Sequence, residues 1–553
     1  MHTIRFLAVI LFACNLSAAE TLRLPNIFGD KMVLQRDKPV RIWGWAEAGA
    51  EVTAQFAGQS KPIKADADGK WTLQLDKLKT SFEGRELVVS SGPEKIELTD
   101  VLVGEVWVCG GQSNMEWSLR GSRDSDLEVA SADSPQIRFI RLPKVSRINP
   151  QEDFPVANKT NREGNWRQAI PEQVENCTAV GYYFAQRISR RLKVPVGLID
   201  VSWGGTMAQH WVLKETLKPF PEMQPYHEKF ETALKTWRDG GRKEGADKRF
   251  TADVMAWEKT RAAAKAEGKR EPRRPNKNAY TNPANKGQPG GMMNGMILPI
   301  AKMTIRGALF YQGENNSFTV GWKPFHRTFP SVITDWAHVF GEPKLPIGIV
   351  QIAGWSTRRS MTYDMNHHTN IIREIQHLIW QRFDHTGLIV TYDTNSNGSI
   401  HPGHKRPVGE RLARWALAEV YEAKPYKSNK PIEWRGPVYE SHEIKDGKVT
   451  ISFKEGTNRG LRLDKDVEAG FYIAAKDGKF KHGRARILGR ENKLMVWHDE
   501  IKEPAAVRYG WSNLPHGTLM NFRELPAYPF RTDTWSLTPH QSTGSYEVEK
   551  ISE

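Results

Sequence analysis

A serine that follows two glycines, a distant histidine, and glycine or amide residues at the ends of other apolar runs could together carry out acyl transfer. From Gly104 to Trp117 the chain reads GEVWVCGGQSNMEW, so an apolar run passes through Gly110 and Gly111 and reaches Ser113. A serine delivered by a buried strand onto a turn without side-chain bulk exposes its hydroxyl and leaves its own N–H free to bind an oxyanion. The same residues would also make an ordinary Gly-Ser turn, so the chemistry depends on partners elsewhere in the chain.

Those partners stand at the ends of further apolar runs. Val196 to Trp203 ends at Gly204 and Gly205, and Ala308 to Tyr311 ends at Gln312, Gly313, Glu314 and Asn315. Pro346 to Ile352 is another such run, and Gly387 to Asp393 leads through a polar turn to Ser399 and His401. Between them, Ala179 to Leu192 has the spacing of an amphipathic helix with Tyr182, Tyr183, Phe184 and Ile188 inward. Val408, Leu412, Trp415, Ala416 and Val420 repeat that spacing after His401. This alternation predicts a parallel sheet covered by helices, in which ligands bind beyond the carboxyl ends of the strands. Ser113, Gly204, Gly205, Gln312 and His401 are therefore expected on one edge.

The block GQSNMEW, then SWGGT, then NGMI with YQGE, and finally SIHP with a basic residue and VGERLA after it, closely resembles the sialate O-acetylesterases. These are SGNH (GDSL-like) hydrolases, together with related acetyl xylan esterases. The likeness covers nearly the whole chain beyond its first residues, including LPNIFGDKMVLQRDKPVRIWGWA. It implies a three-layer α/β/α domain with a parallel sheet, flanked by N-terminal and C-terminal β-sandwich-like domains. It also implies a serine esterase that removes O-acetyl groups from carbohydrate, without metal or cofactor. Ser113 matches the nucleophile and His401 the general base. The amides of Ser113 and of Gly204 or Gly205 would supply oxyanion donors, with the Gln312 side chain as a third. Gln112 and Asn315 are further candidates for orientation or substrate binding.

One acidic position departs from the pattern. Many SGNH hydrolases carry an aspartate three residues before the histidine, and many relatives read Asp-Ile-His-Pro, whereas this chain has Gly398 and Ser399 there. The Ser-Ile-His-Pro form resembles animal members of the family. A histidine still needs its far nitrogen fixed to hold one tautomer, and a backbone carbonyl can do that. The favoured reading is a Ser-His dyad oriented by a carbonyl near Gly398, with Asp393 or Glu314 as carboxylate alternatives.

Composition narrows the class. With 553 residues the chain is expected to form two or three domains. Residues 1–19 read as a secretory signal, with Arg5, an apolar core and a small-residue end at Ala19, too short for a membrane span. The expected protein is secreted, periplasmic or extracellular. Lipid attachment at Cys14 is disfavoured by the bulk of Phe12. Cys109 and Cys177 then remain, which permits one disulfide but not a disulfide framework. No CxxC or HExxH pattern suggests a metal. The net charge of +15 is spread among interleaved acids without an aromatic series, which argues against nucleic acid as a partner.

The expected organisation is an N-terminal β-sandwich over 20–103, the catalytic domain over 104–425 and a C-terminal β domain over 430–553. A charged insertion over about 214–288 carries two helical stretches, Tyr226 to Trp237 and Thr251 to Ala266. A glycan-binding protein on a decayed hydrolase scaffold is the competing class, and a lipase of the same superfamily is a third.

Overall fold

The computed structural model describes residues 22–155, 163–239, 245–269, 271–272, 274–275, 287–318, 321–356, 364–397, 399–464, 469–489, 492–539 and 544–548. The expected leader with its cleavage point near Ala19, Cys14 and Gly398 lie outside the described residues. No helix among the described residues is long and apolar enough to cross a membrane.

Seven strands build the central sheet, in the order Thr386–Ile389, Ile347–Val350, Gly307–Tyr311, Glu94–Gly111, Val196–Asp200, Ser134–Arg141 and Arg167–Ala169. The first six run parallel and the last closes one edge antiparallel. Register keeps their carboxyl ends level, with Tyr311 opposite both Gly111 and Val350. Ser134–Arg141 was not among the expected strands. Its Gln136, Arg138 and Arg141 hide the apolar signal, and the buried Arg138 is satisfied by Asp100, which accepts from it at 2.8 Å, and by the Pro135 carbonyl.

Strand alternation sorts the two helical layers. Trp107 lies on one face, where its ring meets Phe184 of helix Ala179–Leu192 at 4.9 Å and Trp415 of helix Arg406–Trp415 at 6.2 Å. Gly110, three positions on, lies on the opposite face beneath Trp336 of helix Phe325–Phe340, where any Cβ would sit 2.4 Å from the indole. Trp415 likewise occupies space that a Cβ on Gly387 would need, at 2.2 Å. Glycines within these strands therefore make room for the tryptophans that anchor the helices.

The strand Glu94–Gly111 is continuous for 18 residues. Its first part pairs antiparallel with Ser81–Ser91, and Leu102–Gly104 pairs with Val33–Gln35, before Glu105–Gly111 joins the central sheet. The division expected near Gly104 thus falls inside one strand rather than in a linker. At the other end of the chain are two four-stranded antiparallel sheets. Tyr439 of one stacks on Phe530 of the other at 4.8 Å. These sheets are tied to the catalytic layer by Tyr528, whose hydroxyl donates to the Leu388 carbonyl at 2.5 Å, and by Arg531 on Glu374 at 2.8 Å. The charged insertion contributes helices Gln224–Asp239 and Ala246–Ala266.

Candidate active site

Backbone geometry explains why the serine stands where it does. Gly111 has φ +117, and a Cβ there would lie 2.1 Å from the Tyr311 carbonyl, so only glycine turns the strand at this point. Ser113 then opens the short helix Ser113–Glu116, whose preceding residue Gln112 provides no side-chain cap. Among the described residues the amides of Ser113 and Gly205 make no hydrogen bond. They are the open donors of the site.

His401 reaches the serine, with Nε2 2.7 Å from Ser113 Oγ. Trp117 stacks on the imidazole at 5.2 Å and 21°, which fixes the plane of the ring. The histidine amide donates to Ser399 Oγ at 3.0 Å, so Ser399 shapes the turn. Burial pushes the imidazole pKa below its ordinary value, and the Lys405 ammonium pushes the same way against the pull of Glu116. The ring is neutral near pH 7 and can accept the serine proton.

Neither proposed carboxylate touches that ring. Asp393 accepts from Arg411 Nη1 at 2.7 Å, and Glu314 is buried and accepts from Asn114 Nδ2 at 2.5 Å. Both alternatives for orienting His401 are corrected on that ground. No described group bonds its Nδ1, and the carbonyl of Gly398 lies outside the described residues.

The oxyanion candidates also separate. The Gly204 N–H donates to Glu116 Oε2 at 2.6 Å, so of the two glycines Gly205, at φ +74, is the one with its amide open. Gln312 is fully buried, and its Nε2 donates to Gln112 Oε1 at 2.7 Å and to the Thr206 carbonyl at 2.9 Å. An amide has two N–H donors, so Gln312 has none left for substrate, which corrects its expected role as an oxyanion donor. Asn315 is held beside it: its N–H donates to Gln112 Oε1 at 3.1 Å, and its Nδ2 donates to the Gly205 carbonyl at 2.9 Å. That leaves one side-chain N–H on a half-buried asparagine at the serine turn.

Beneath the Ser-His pair runs a buried polar chain. Lys405 Nζ donates to Asn114 Oδ1 at 2.5 Å, while Asn114 Nδ2 donates to Glu314 and to the Ile400 carbonyl at 3.0 Å. Burial pushes Lys405 down to about 7 and Glu314 upward, each opposed by the other's charge. This chain links the serine turn to the histidine turn across 286 residues. Cys109 and Cys177 are buried and unpaired.

No family model matches the chain. Over 541 residues it is 23% identical to the sialate O-acetylesterase of Mus musculus, covering 92% of each chain. Against that of Homo sapiens it is 26% identical over 477 residues, covering 79% of this chain and 77% of the relative. A crystal structure of a carbohydrate acetylesterase from Xanthomonas citri is 28% identical with a TM-score of 0.75, covering 93% of this chain and 100% of that one.

Over most of its length the chain is similar to the sialate O-acetylesterases. It is an esterase, with the α/β fold of the SGNH carbohydrate esterases. Four residues of this esterase's site went unread in the sequence: Asn114, Glu116, Trp117 and Lys405. The first three lie inside the QSNMEW block and Lys405 four residues beyond His401, so their proximity to the two reactive residues was the available signal. Glu116 is the most consequential. It accepts from Gly204, from Arg141 at 2.7 Å and from Lys144, and so braces the glycine turn against the serine helix.

Proposed function

We propose that the chain is a secreted esterase that removes O-acetyl groups from carbohydrate through an acetyl-serine intermediate. The observation that carries this reading is the 2.7 Å contact between a neutral His401 Nε2 and Ser113 Oγ beside two open amides. His401 takes the serine proton while Oγ bonds to the acetyl carbon. The carbonyl oxygen, now an oxyanion, accepts from the amides of Ser113 and Gly205 and from Asn315 Nδ2. Collapse breaks the bond to the sugar oxygen, which takes the proton from His401. A water then gives its proton to the same nitrogen as its oxygen bonds to the acetyl carbon, and the bond from that carbon to Ser113 Oγ breaks, Oγ taking the proton back from His401 as acetate leaves.

Sialate esters are the first substrates to test, in keeping with the names of the curated relatives, and acetylated xylan the second. Secretion is supported by the leader pattern in residues 1–19. The glycan-binding alternative is disfavoured by the Ser-His contact, which a mere binding scaffold does not require. The test is acetate release from O-acetylated sialic acid and acetylated xylan, with mass spectrometry of the Ser113 peptide after rapid quench. Acetate release together with an acetyl adduct on Ser113 is expected. Absence of both with every acetylated carbohydrate would overturn the reading.

A further inference from the structure

A cavity of about 570 Å³ lies at the far end of helix Ala179–Leu192 from the serine. The near end of that helix is tied to the active site, because Thr178 Oγ1 donates to the Met115 carbonyl at 2.6 Å. Eleven residues of helix separate Ala179 from Arg190, about 17 Å at 1.5 Å per residue. The cavity is therefore a separate place, walled by this helix, by helix Arg406–Trp415 and by the C-terminal domain.

Six guanidinium groups converge on it: Arg187, Arg190, Arg191, Arg411, Arg414 and Arg523. Among the described residues only two acids, Glu410 and Glu524, share the lining. Arg411 is neutralised by Asp393, and Arg187 by Glu410 at 2.9 Å. Arg191 and Arg414 donate to main-chain carbonyls, of Lys424 at 2.8 Å and Glu433 at 2.5 Å, and the Glu433 carboxylate offsets part of the charge of Arg414 and Arg523. Arg190 and Arg523 have no ion pair among the described residues. Burial and then the neighbouring Arg523 hold the Arg414 guanidinium below its usual pKa against the opposing pull of Glu433, so like charges outnumber the acid here.

Two arginines in the last turn of a helix answer its dipole, which accounts for Arg190 and Arg191. It does not account for Arg414 and Arg523, brought in from two other elements. Planar guanidiniums without a carboxylate at ion-pair distance suit an oxyanion that binds two donors at once. Leu417, Ile432 and Leu525 share the lining and offer apolar surface to the face of a sugar ring.

We propose that this cavity is an accessory site for an anionic saccharide, one bearing carboxylate or sulfate groups, distinct from the acetyl-transfer site. The anion preference rests on the arginines; the choice of a saccharide rests on the proposed carbohydrate substrate. Binding and hydrolysis are therefore measured separately.

The full chain is titrated calorimetrically with unacetylated oligogalacturonate, a heparin-derived oligosaccharide, neutral xylo-oligosaccharide and inorganic phosphate. At least one charged oligosaccharide should bind, more weakly as sodium chloride screens the charges. Which one binds identifies carboxylate or sulfate as the group recognised. The double variant Arg190→Ala, Arg523→Ala should weaken that binding by about tenfold or more, since charge-assisted contacts are lost. Its hydrolysis of a small aryl acetate should equal the parent's, which also reports that the variant is folded. The proposal is overturned by undiminished binding in the double variant, by equal binding of the neutral oligosaccharide, or by phosphate binding as tightly as any saccharide. Failure of acetate release from carbohydrate with intact anion binding would instead count against the proposed reaction alone.

Discussion

The two ends of helix Ala179–Leu192 solve opposite electrostatic problems. At the serine end, polar side chains are short and matched one to one: Gln312 to Gln112 and Thr206, Asn114 to Lys405 and Glu314, Glu116 to Gly204. At the other end long arginines crowd a cavity with too few acids. A matched network fixes geometry before substrate arrives, which is what stabilising a transition state requires. A surplus of flexible cations leaves charge to be satisfied by something that binds. Pairing of polar groups, more than their number, thus distinguishes the serine end from the arginine end.

Substitutions can break this contrast, and the largest effect belongs to the serine. Ser113→Ala should lower acetate release by at least about a thousandfold while circular dichroism stays native. Activity within tenfold of the parent would place the reaction elsewhere. Asn315→Ala should reduce kcat by about a hundredfold with little change in KM, because an oxyanion donor acts mainly on the transition state. A change confined to KM would make Asn315 a ground-state contact instead.

The pH profile sharpens the comparison further. His401 must be neutral to act, so kcat/KM should rise with pH through a pKa below 6.5 and then level off. Glu116 raises that pKa and Lys405 lowers it. Glu116→Gln should therefore move the acid limb to lower pH, and Lys405→Met should move it to higher pH. Opposite or absent movements in stopped-assay pH profiles would show that the matched network does not set the base.

Asp393→Asn should have the smallest effect. Asp393 is 36% exposed on its side chain and faces Arg411, so its loss should cost about 1 kcal/mol of stability or less in chemical denaturation. Turnover should be nearly parental. A fall of about four orders of magnitude, as when the aspartate of a serine protease is amidated, would restore it as the orienting acid.

Much of the central sheet was legible because its strands are short apolar runs that end in glycine or polar turns. Ser134–Arg141 escaped because Arg138 is a buried charge, and its partner Asp100 cannot be read from local pattern. Ser113 and His401 were legible through their motifs. The roles of Gln312 and Gly204 were not, since an amide's chemistry depends on which acceptors already hold its protons.

By itself the sequence determined the strand, the glycine turn and the serine. Gly111 at φ +117 and the packing demand of Trp336 above Gly110 are local requirements that residue type expresses directly. It also determined which residues would gather at the carboxyl edge, because a parallel sheet brings its strand ends level. Only the tertiary structure decided which groups there remain free. The open amide of Gly205, the committed amide of Gln312 and the surplus arginines of the far cavity each depend on partners tens to hundreds of residues away. Hydrogen-bond capacity is finite, and only the folded chain shows how it has been distributed.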